Sequence, residues 1–433
     1  MTAMDENEKE EEEKKAMEEA LADIMQDINL EEQKSEAAFI KKLNLLREEI
    51  TTEETFTTTD ILPTEEPDIL SQSIAIKFTD IITFLEKEKV ETPFADEFWE
   101  FYYNNKQIKD PRKYMGGNAV REKIIGLLSE LNEFVLNPEV LDLNHAFNEK
   151  MQSGKLYYVG DTHGSIIDTD KCIRFFVKQI EKAELNNEDL RIIFLGDYVD
   201  RNKMDIHNLL YILTFTMKYS KYVRILRGNH EEVTINMRYG FWHSINKYLP
   251  NLYLFNDFEY FFMRLPLVHA VHYQSESMEN PRVLVSLHGG IPIYDKKFTE
   301  MPEIPKIIQG LDFLDPAHSN IDEMDDLSQQ ILWNDPADDL PPNMLFLPSR
   351  RGIGFNFGKE VFDEWMRENQ ADRLIRGHEV FLEGFKNFFN DRLFSVFSSS
   401  KYVYRRLDAK ILEFDFSKPW ESNWRYLTIS KEL

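Results

Sequence analysis

The sequence predicts an α/β protein whose main domain contains buried strands that alternate with helices. Three observations support this prediction. Six short apolar runs occur between residues 156 and 400, segments of helical periodicity separate them, and polar residues collect at their C-terminal ends. Strands that are buried on both faces form such runs, and their alternation with helices is typical of α/β domains. The runs are LYYVGD, RIIFLGDYVD, YVRILRGNHE, VLVSLHGG, RLIRGHE and RLFSVFSSS.

Residues 1–73 predict an acidic, low-complexity extension that precedes the globular part of the chain. Residues 1–70 contain 22 acidic and 7 basic residues, within a net charge of −26 for the 433 residues of the chain. Two apolar stripes at helical spacing, from Met17 to Ile28 and from Phe39 to Ile50, are too short to predict a coiled coil. We expect solvated helix with disordered joints here, and a site for a protein partner is the alternative.

Residues 74–150 have a globular composition and predict helices that dock on the main domain. One apolar helix face in this range is formed by Ile124, Leu127, Leu128 and Leu131. Such a face must pack against another element. We place the main domain at residues 151–417 and a short C-terminal tail at 418–433.

The composition limits the classes of function. The single cysteine, Cys172, excludes an internal disulfide framework and favours a reducing compartment, so we expect a cytoplasmic protein. Cys172 lies in a segment of helical periodicity, where a small buried residue is expected rather than a nucleophile. No run approaches the roughly 18 apolar residues of a membrane span. The acidic balance offers no attraction to nucleic acid.

Side chains suited to metal binding or acid–base chemistry follow five of the six predicted strands. They lie in the segments Gly160–Gly164, Gly196–Arg201, Arg227–Glu231, His288–Gly290 and Arg376–Glu379. The intervals from Asp161 to Asp197 and from Asp197 to Asn229 each suit one strand–helix unit. Because the carboxyl ends of adjacent parallel strands meet at one edge of a sheet, we expect the segments to share one cleft.

The residue types in these segments predict a pair of divalent metal ions. Asp, His and Asn side chains offer the oxygen and nitrogen ligands that suit Mn, Fe or Zn. Two carboxylates and three imidazoles exceed what one open catalytic ion needs. They suit two ions about 3.5–4 Å apart, the arrangement of phosphatases and nucleases. One such motif alone is weak evidence, because a Gly-Asp pair is often a turn, but five in order are specific.

The five motifs resemble those of the PPP family of serine/threonine protein phosphatases, within the calcineurin-like metallophosphoesterases. The resemblance covers residues 156–414. It implies the calcineurin-like fold, in which central mixed β-sheets form a β-sandwich flanked by helices, here with an N-terminal helical extension. It also implies hydrolysis of phosphoserine and phosphothreonine in proteins by a hydroxide that bridges two metal ions. The expected ions are Mn(II), with Fe and Zn as alternatives.

The resemblance divides six implied ligands between the two ions. Asp161 and His163 would bind the first ion, and Asp197 would bridge both. The remaining ligands, to the second ion, would be Asn229, His288 and His378.

The resemblance also implies a general acid and a phosphate clamp. His230 would protonate the leaving alkoxide, and Asp200 would hold His230 in place. An alkoxide leaves poorly, so this proton should matter. Arg201 and Arg351 would grip the phosphate oxygens, since the planar guanidinium can donate two parallel hydrogen bonds. Arg351 lies in RRGIGFNFG, which matches the family's RGxxFxFG signature.

Three further features of the sequence lie near the implied site. Arg350 adjoins Arg351, but the Gly-Ile-Gly-Phe that follows favours Arg351 by register. Tyr402 corresponds to a tyrosine that many members place over the site, and we assign it to substrate binding. Tyr402 is the last residue of the segment SSSKY, where many eukaryotic members carry SAPNYC. The resemblance therefore does not predict the shape of the substrate at the rim or the binding of the toxins that inhibit many relatives. After Arg201 the chain reads Asn-Lys where the family usually has Gly.

Other functions remain as alternatives. A hydrolase of small phosphate compounds, such as dinucleoside polyphosphates, shares the early motifs, but RGIGFNFG and the chain length favour a protein phosphatase. A nuclease would usually carry GHxH where this chain has RGHEV. A non-catalytic scaffold would have lost ligands that this chain retains. The acidic residues 1–68 could also fold back and compete with substrate for the cleft. The expected partner is a phosphoprotein or phosphopeptide, with no nucleic acid and no membrane.

Overall fold

The computed structural model describes residues 125–126, 128–131, 146–248, 255–276, 278–294, 297–312, 314, 323–402 and 405–433. The predictions for residues 1–73, including the partner site and the fold-back hypothesis, lie outside these residues. So does most of the range 74–150. Within that range Leu128 and Leu131 are helical and buried in the core.

Besides the helical residues at 125–126 and 128–131, the described residues form sixteen strands and eight α-helices. The strands are β1 (Ala146–Met151), β2 (Lys155–Val159), β3 (Leu190–Phe194), β4 (Val223–Ile225), β5 (Val268–Tyr273), β6 (Arg282–Leu287), β7 (Asp335–Pro336), β8 (Phe346–Pro348), β9 (Phe355–Phe357), β10 (Arg373–Arg376), β11 (Phe385–Phe388), β12 (Leu393–Val396), β13 (Lys401–Tyr402), β14 (Arg405–Arg406), β15 (Lys410–Asp415) and β16 (Trp424–Thr428). The helices are α1 (Ile166–Asn186), α2 (Asp205–Lys218), α3 (Val233–Tyr239), α4 (Phe241–Tyr248), α5 (Phe255–Phe262), α6 (Asp326–Trp333), α7 (Lys359–Glu368) and α8 (Ile429–Glu432).

Both large sheets are mixed, as predicted. The five-stranded sheet has the order β16-β15-β2-β3-β4, in which β2, β3 and β4 are parallel. The six-stranded sheet has the order β1-β5-β6-β10-β12-β11, in which β6, β10 and β12 are parallel. The six apolar runs of the sequence correspond to these six parallel strands. Within each set of three neighbours, the carboxyl ends therefore lie side by side.

The two sheets contribute to a shared core and form the predicted β-sandwich. One core cluster takes side chains from both sheets, including Tyr158 of β2, Leu284 of β6 and Phe394 of β12. Alternate residues of β2, such as Tyr157, belong to a second cluster with α1 and α2. A third cluster joins the other face of the six-stranded sheet to α6 and α7. Since both faces of each sheet are covered, apolar residues occupy successive positions through most of these strands instead of alternating with polar ones, which explains the runs.

Two boundaries differ from the sequence-based expectation. Strand β1 pairs in parallel with β5, so the sandwich begins inside the range 74–150, where helices were expected. Strand β16 pairs with β15, so residues 418–433 include part of a sheet and are not a separate tail. The partner of β1 is remote in sequence, and Glu149 interrupts its apolar pattern, so the local pattern does not reveal this strand.

Two expectations from composition also concern described residues. Cys172 is buried in α1, and burial raises the pKa of its thiol, as expected for a small packed residue. Among the helices of the described ranges, none has the length and apolar character needed to cross a bilayer.

Candidate active site

The carboxyl ends of β2, β3 and β4 meet those of β6, β10 and β12 at one edge of the sandwich. A parallel bridge between Asp161 and Phe397 connects the ends of β2 and β12. The backbone N–H of His378 donates to Oδ1 of Asp161 at 2.8 Å, and that of His230 donates to Oδ1 of Asp197 at 2.9 Å. The motif segments therefore share one cleft.

The backbone of the cleft is unusual. Left-handed backbone, with φ between 41° and 71°, occurs at His163, Asp197, Asp200, Arg201 and His378. Residues with a side chain seldom adopt this conformation, which persists where the surrounding structure enforces it. Glycines permit close approach beside these residues. A Cβ on Gly228 would lie 2.3 Å from Oδ1 of Asp197, and one on Gly377 would lie 2.5 Å from Oδ1 of Asp161.

Two groups of potential ligand side chains share Asp197, and the first also contains His230, the implied general acid. His163, Asp197 and His230 present ligand atoms within 4.8 Å of one another, and so do Asp197, His288 and His378. Nε2 of His163 lies 3.4 Å from Oδ2 of Asp197, and Nε2 of His288 lies 3.3 Å from its Oδ1. Each carboxylate oxygen thus faces a different imidazole, which suits a residue that bridges two ions.

Asp161 and Asn229 complete the two groups. Oδ2 of Asp161 lies 3.8 Å from Nε2 of His163 and is buried without a hydrogen-bond partner among the described residues. Oδ1 of Asn229 lies 2.9 Å from Nε2 of His288 and 2.8 Å from Nδ1 of His378. The structure therefore brings all six implied ligands together, and all six are buried.

Backbone carbonyls orient two of the imidazoles. Nδ1 of His163 lies 2.9 Å from the carbonyl oxygen of Val199, and Nδ1 of His288 lies 2.8 Å from that of Leu195. A carbonyl oxygen only accepts, so in both rings Nδ1 carries a proton, and in the neutral imidazole Nε2 is left with its lone pair. An outer hydrogen bond of this kind fixes the tautomer of metal-binding histidines.

The electrostatics of the cluster fit divalent metal ions. Burial and the neighbouring Asp197 carboxylate raise the pKa of Asp161 to about 7. Burial and the positive charge of Arg351 hold the pKa of His378 well below its usual range, which favours a neutral imidazole. Nε2 of His378, like Oδ2 of Asp161, is buried with no hydrogen-bond partner in the described part of the chain. Buried oxygen and nitrogen atoms that lack a hydrogen-bond partner can serve as ligands of Mn, Fe or Zn ions.

His230 and Asp200 form a buried acid–base pair. Nδ1 of His230 lies 2.7 Å from Oδ2 of Asp200. Asp200 in turn accepts from the backbone N–H of Phe241 at 2.7 Å and from the Asn236 amide at 3.1 Å. Although burial opposes it, the carboxylates of Asp197 and Asp200 raise the pKa of His230. When His230 is protonated, Nδ1 donates to Asp200 and Nε2 keeps a proton for the cleft.

Arg351 lies beside the second group of ligands. Its Nε donates to Oδ2 of Asp335 at 2.9 Å. The other oxygen of Asp335 accepts from Arg376 at 2.8 Å and lies 3.9 Å from Nε2 of His378. The side chain of Arg351 is 40% exposed, so it lies at the boundary between the cleft and solvent.

Arg201 lies between two tyrosines at the first group of ligands. Its Cζ is 3.7 Å from the ring centroid of Tyr239 and 5.6 Å from that of Tyr402. The ring centroid of Tyr402 is 5.3 Å from that of His163, and the ring centroid of Tyr239 is 5.3 Å from that of His230. A guanidinium over aromatic faces is held by cation–π attraction. Tyr402 therefore lies at the cleft, and Tyr239 was not found by sequence reasoning.

Glu231 supports the site although no role was assigned to it from the sequence. Its buried carboxylate accepts from the backbone N–H groups of Asp197 at 2.8 Å, Tyr198 at 2.9 Å and Gly228 at 2.8 Å. Three donors at this carboxylate hold the ends of β3 and β4 against each other. The sequence offered one indication of this role, because Glu231 is the last residue of the motif segment Arg227–Glu231, whose other residues include a metal ligand and the acid.

Asn202 is a third residue whose role sequence reasoning did not find. Its Nδ2 donates to the carbonyl oxygen of His163 at 2.5 Å and to that of Lys401 at 3.3 Å. The side chain therefore ties the first ligand segment to the strand that carries Tyr402. The sequence does show that Asn202 replaces the Gly that the family usually has after Arg201. It does not show which backbone groups the new side chain contacts.

The profile of the family described as calcineurin-like phosphoesterase matches residues 154–381, more than half of the chain. The protein therefore belongs to the calcineurin-like phosphoesterases. Human serine/threonine-protein phosphatase 5 is 30% identical to it over 321 residues, which cover 73% of this chain and 54% of the human protein. The catalytic subunit of serine/threonine-protein phosphatase 6 from Caenorhabditis elegans is 30% identical over 246 residues, covering 57% of this chain and 65% of that protein.

A solved structure supports the same fold. A serine/threonine phosphatase from Saccharomyces cerevisiae, described as similar to human phosphatase PP5, superposes with a TM-score of 0.52 at 20% identity. The match covers 71% of this chain and 89% of the yeast chain. The calcineurin-like fold and the resemblance to serine/threonine phosphatases are thus confirmed. The family implies a site for two metal ions, and the chain spans about half the length of its phosphatase 5 relatives.

Proposed function

We propose that this protein is a metal-dependent serine/threonine protein phosphatase that hydrolyses phosphomonoesters in phosphoproteins. The observation that carries the proposal is the convergence of six buried oxygen and nitrogen ligands beside the His230–Asp200 pair. The named relatives are serine/threonine phosphatases, which favours a protein substrate over a dinucleoside polyphosphate. A scaffold role gains no support, because the ligands lie together in one cleft.

The buried ligand set would hold two divalent ions. Asp161 and His163 would bind the first ion, Asp197 would bind both, and the second would take Asn229, His288 and His378. When bound, the ions would supply a hydroxide at neutral pH and neutralise charge on the phosphate. We propose Mn(II) as the native ions, because oxygen and nitrogen ligands suit it, and Fe or Zn would compete through availability.

The two arginines would bind the phosphate oxygens. Asp335 accepts from Nε of Arg351, so the terminal nitrogen atoms of that guanidinium remain for the substrate. Tyr239 and Tyr402 hold the guanidinium of Arg201 between them. Such positioning lowers the entropy that each side chain loses when phosphate binds. The ring of Tyr402 would also bound the space open to the phosphorylated residue.

His230 would act as the general acid. Its protonated ring donates from Nδ1 to Asp200, so the proton on Nε2 is the one available to the leaving oxygen of serine or threonine. As that proton leaves, the ring becomes neutral and its bond to Asp200 fixes the orientation for reprotonation. Asp200 thus positions the acid and stabilises its charged form.

A substitution of His230 tests this assignment. We expect His230→Asn to lower kcat for a phosphothreonine peptide by about 10²–10⁴-fold, the usual contribution of a general acid. The loss should be much smaller for p-nitrophenyl phosphate, because nitrophenolate leaves without protonation. Steady-state kinetics on both substrates measures the difference.

An exposed histidine provides the matched control. His243 is exposed and lies outside the motifs, so His243→Asn should leave both rates unchanged. Equal losses on the two substrates in His230→Asn would contradict a role in leaving-group protonation. Retention of the wild-type rate on the peptide would remove His230 from the mechanism.

We also propose that the protein is cytoplasmic and that its acidic N-terminal residues contact a protein partner. The single cysteine, which is buried, supports the first proposal, and the 22 acidic residues among residues 1–70 support the second. Cell fractionation of the full chain tests the location, and recovery in a membrane or secreted fraction would contradict it. Cross-linking with and without residues 1–68 tests the contact.

A further inference from the structure

The hairpin that carries Tyr402 also carries two exposed cations. Strands β13 and β14 are antiparallel, with Lys401 directly opposite Arg406 and Tyr402 directly opposite Arg405. Directly opposite residues project from the same face of a strand pair, and successive residues project from opposite faces. Lys401 and Arg406 therefore share the face opposite to Tyr402, and both are exposed.

The hairpin is anchored at the mouth of the cleft. The amide of Asn202 donates to the carbonyl oxygen of Lys401 at 3.3 Å, and the backbone N–H and Oγ of Ser400 both donate to Asp168 at 2.8 Å. The exposed Lys203 follows Asn202 in the same loop. We refer to the three side chains Lys203, Lys401 and Arg406 as the basic rim.

Within the described ranges, no carboxylate neutralises Lys401 or Arg406 of the basic rim. Like charges that lie directly opposite on a strand pair are destabilising, so the Lys401–Arg406 pair costs stability. Neither residue forms an ion pair with any residue in the described ranges. Of the carboxylates that contact neighbouring segments, Asp168 is buried under Ser400, and Asp408 pairs with lysines at 2.7 and 4.0 Å.

The position and sign of the charge indicate a ligand. Two cations without an ion-pair partner among the described residues, on one face of the strand pair that carries Tyr402, are unexpected in a chain with a net charge of −26. Acidic residues, which outnumber basic ones in this chain, would keep an exposed surface solvated equally well. An anionic group that approaches together with the phosphate would remove the repulsion between Lys401 and Arg406 and gain from both charges.

We propose that the basic rim selects protein substrates that carry acidic side chains close to the phosphorylated serine or threonine. The inference rests on the function proposed above and adds its sequence preference. Lys401 and Arg406 project from the face opposite to Tyr402, so the rim would meet residues that flank the phosphorylated position and not that position itself. The contact is solvent-exposed, so its contribution is modest and screened by salt.

A peptide comparison at low salt tests the preference. Three phosphothreonine peptides differ only in flanking residues, which are Glu, Gln or Lys. We expect kcat/KM to be about three- to tenfold higher for the Glu peptide than for the Gln peptide, as for a few exposed charge pairs. The ratio should fall toward one in about 0.5 M salt. The double variant Lys401→Glu, Arg406→Glu should invert the order and favour the Lys peptide.

A matched control removes the same charge elsewhere. Lys178 and Lys182 are exposed on α1, and Lys178 lies about 18 Å along the helix from its start at the cleft. Lys178→Glu, Lys182→Glu should keep the wild-type order of the peptides, which separates the rim from net charge.

The outcomes distinguish this inference from the proposed function. Equal kcat/KM on all three peptides at low salt, or an order that the rim variant does not change, would overturn the preference and leave the phosphatase function intact. Hydrolysis of p-nitrophenyl phosphate with no hydrolysis of any peptide would contradict the protein phosphatase function, and the preference with it.

Discussion

The sandwich contains two buried clusters of charged residues, and they differ in how their charges are balanced. In the first, Glu149 of β1 accepts from Nη2 of Arg224 at 2.6 Å, from Nε of Arg191 at 3.0 Å and from Nε2 of His269 at 2.9 Å. These partners come from both sheets, so the ionic contacts join the two layers of the sandwich. We refer to these four residues as the Glu149 cluster.

The cleft shows the opposite balance. Asp161 and Asp197 are neighbouring buried carboxylates, and Oδ2 of Asp161 has no hydrogen-bond partner among the described residues. Although burial opposes it, His269 and the two arginines hold the pKa of Glu149 well below its usual range. Burial and Asp197 instead raise the pKa of Asp161 to about 7. The first cluster is complete within the chain, whereas the second is arranged to be completed by cations.

The largest effect on stability should come from the Glu149 cluster. Glu149→Gln leaves the buried guanidinium of Arg224 and the partly exposed one of Arg191 without their carboxylate, so the free energy of unfolding should fall by about 3–5 kcal/mol at pH 7. Because the folded-state pKa of Glu149 is lowered, its stabilisation is present above about pH 4.5 and is lost as the pH falls. Urea unfolding at neutral and acidic pH should therefore show a smaller difference in acid.

The cleft provides the contrasting variant. In metal-stripped protein, Asp161→Asn replaces a carboxyl group whose ionised form is destabilised by burial. The neutral amide can still accept from the backbone N–H of His378. The free energy of unfolding of this variant should equal or exceed that of the metal-stripped wild type. If Asp161→Asn and Glu149→Gln were equally destabilising without metal, the difference between the two clusters would not hold.

An intermediate effect is expected at the arginine that adjoins the cleft. Arg351→Ala should lower kcat/KM for a phosphothreonine peptide by roughly 10–100-fold, the worth of hydrogen bonds to a charged phosphate. Arg350→Ala is the matched control, because this residue is also exposed and carries the same charge. A larger loss in Arg350→Ala than in Arg351→Ala would reverse the assignment.

The smallest effect concerns a buried carboxyl beside the acid pair. Burial, together with Asp200, raises the pKa of Asp205 to about 7, and Oδ2 of Asp205 has no hydrogen-bond partner in the described ranges. A raised carboxyl pKa favours the fold fully below about pH 3.8, and this contribution is lost as the pH rises through about 7. Asp205→Asn cannot ionise, so between about pH 5.5 and pH 8.5 it should gain about 2 kcal/mol relative to wild type.

Chemical denaturation at the two pH values measures this gain. If the difference in the free energy of unfolding between Asp205→Asn and wild type did not change with pH, Asp205 would not be protonated in the folded protein. The cost of burying a carboxylate without a partner would then be confined to Asp161.

The parts of the fold that follow from local pattern were predictable. Strands β2, β3, β4, β6, β10 and β12 appear as continuous apolar runs because both of their faces are buried. The ligand side chains follow these runs at the strand ends, so their order in the sequence was enough to place them in one cleft. The mixed sheets and the sandwich came from the family resemblance and were confirmed.

The parts that depend on remote partners were not predictable. Strand β1 contains Glu149, which reads as an exposed residue until its arginine and histidine partners from other strands are known. Glu231 and Asn202 act on backbone groups, and a backbone contact leaves no mark on the residue type of its partner. Tyr239 is positioned by the three-dimensional approach of α3 to Arg201, which no spacing in the sequence indicates.

Metal titration of stripped protein tests whether the buried ligands hold two catalytic ions. Bound metal and hydrolysis of a phosphothreonine peptide would be measured as Mn(II) is added to wild type and to Asp197→Asn. We expect two ions per wild-type chain, with activity that appears as they bind. In the variant we expect fewer ions and a loss of activity of about 10³-fold or more. Correctly folded wild type that binds two ions without hydrolysing the phosphothreonine peptide would contradict the proposed function. A fully active Asp197→Asn variant would contradict the assigned role of Asp197.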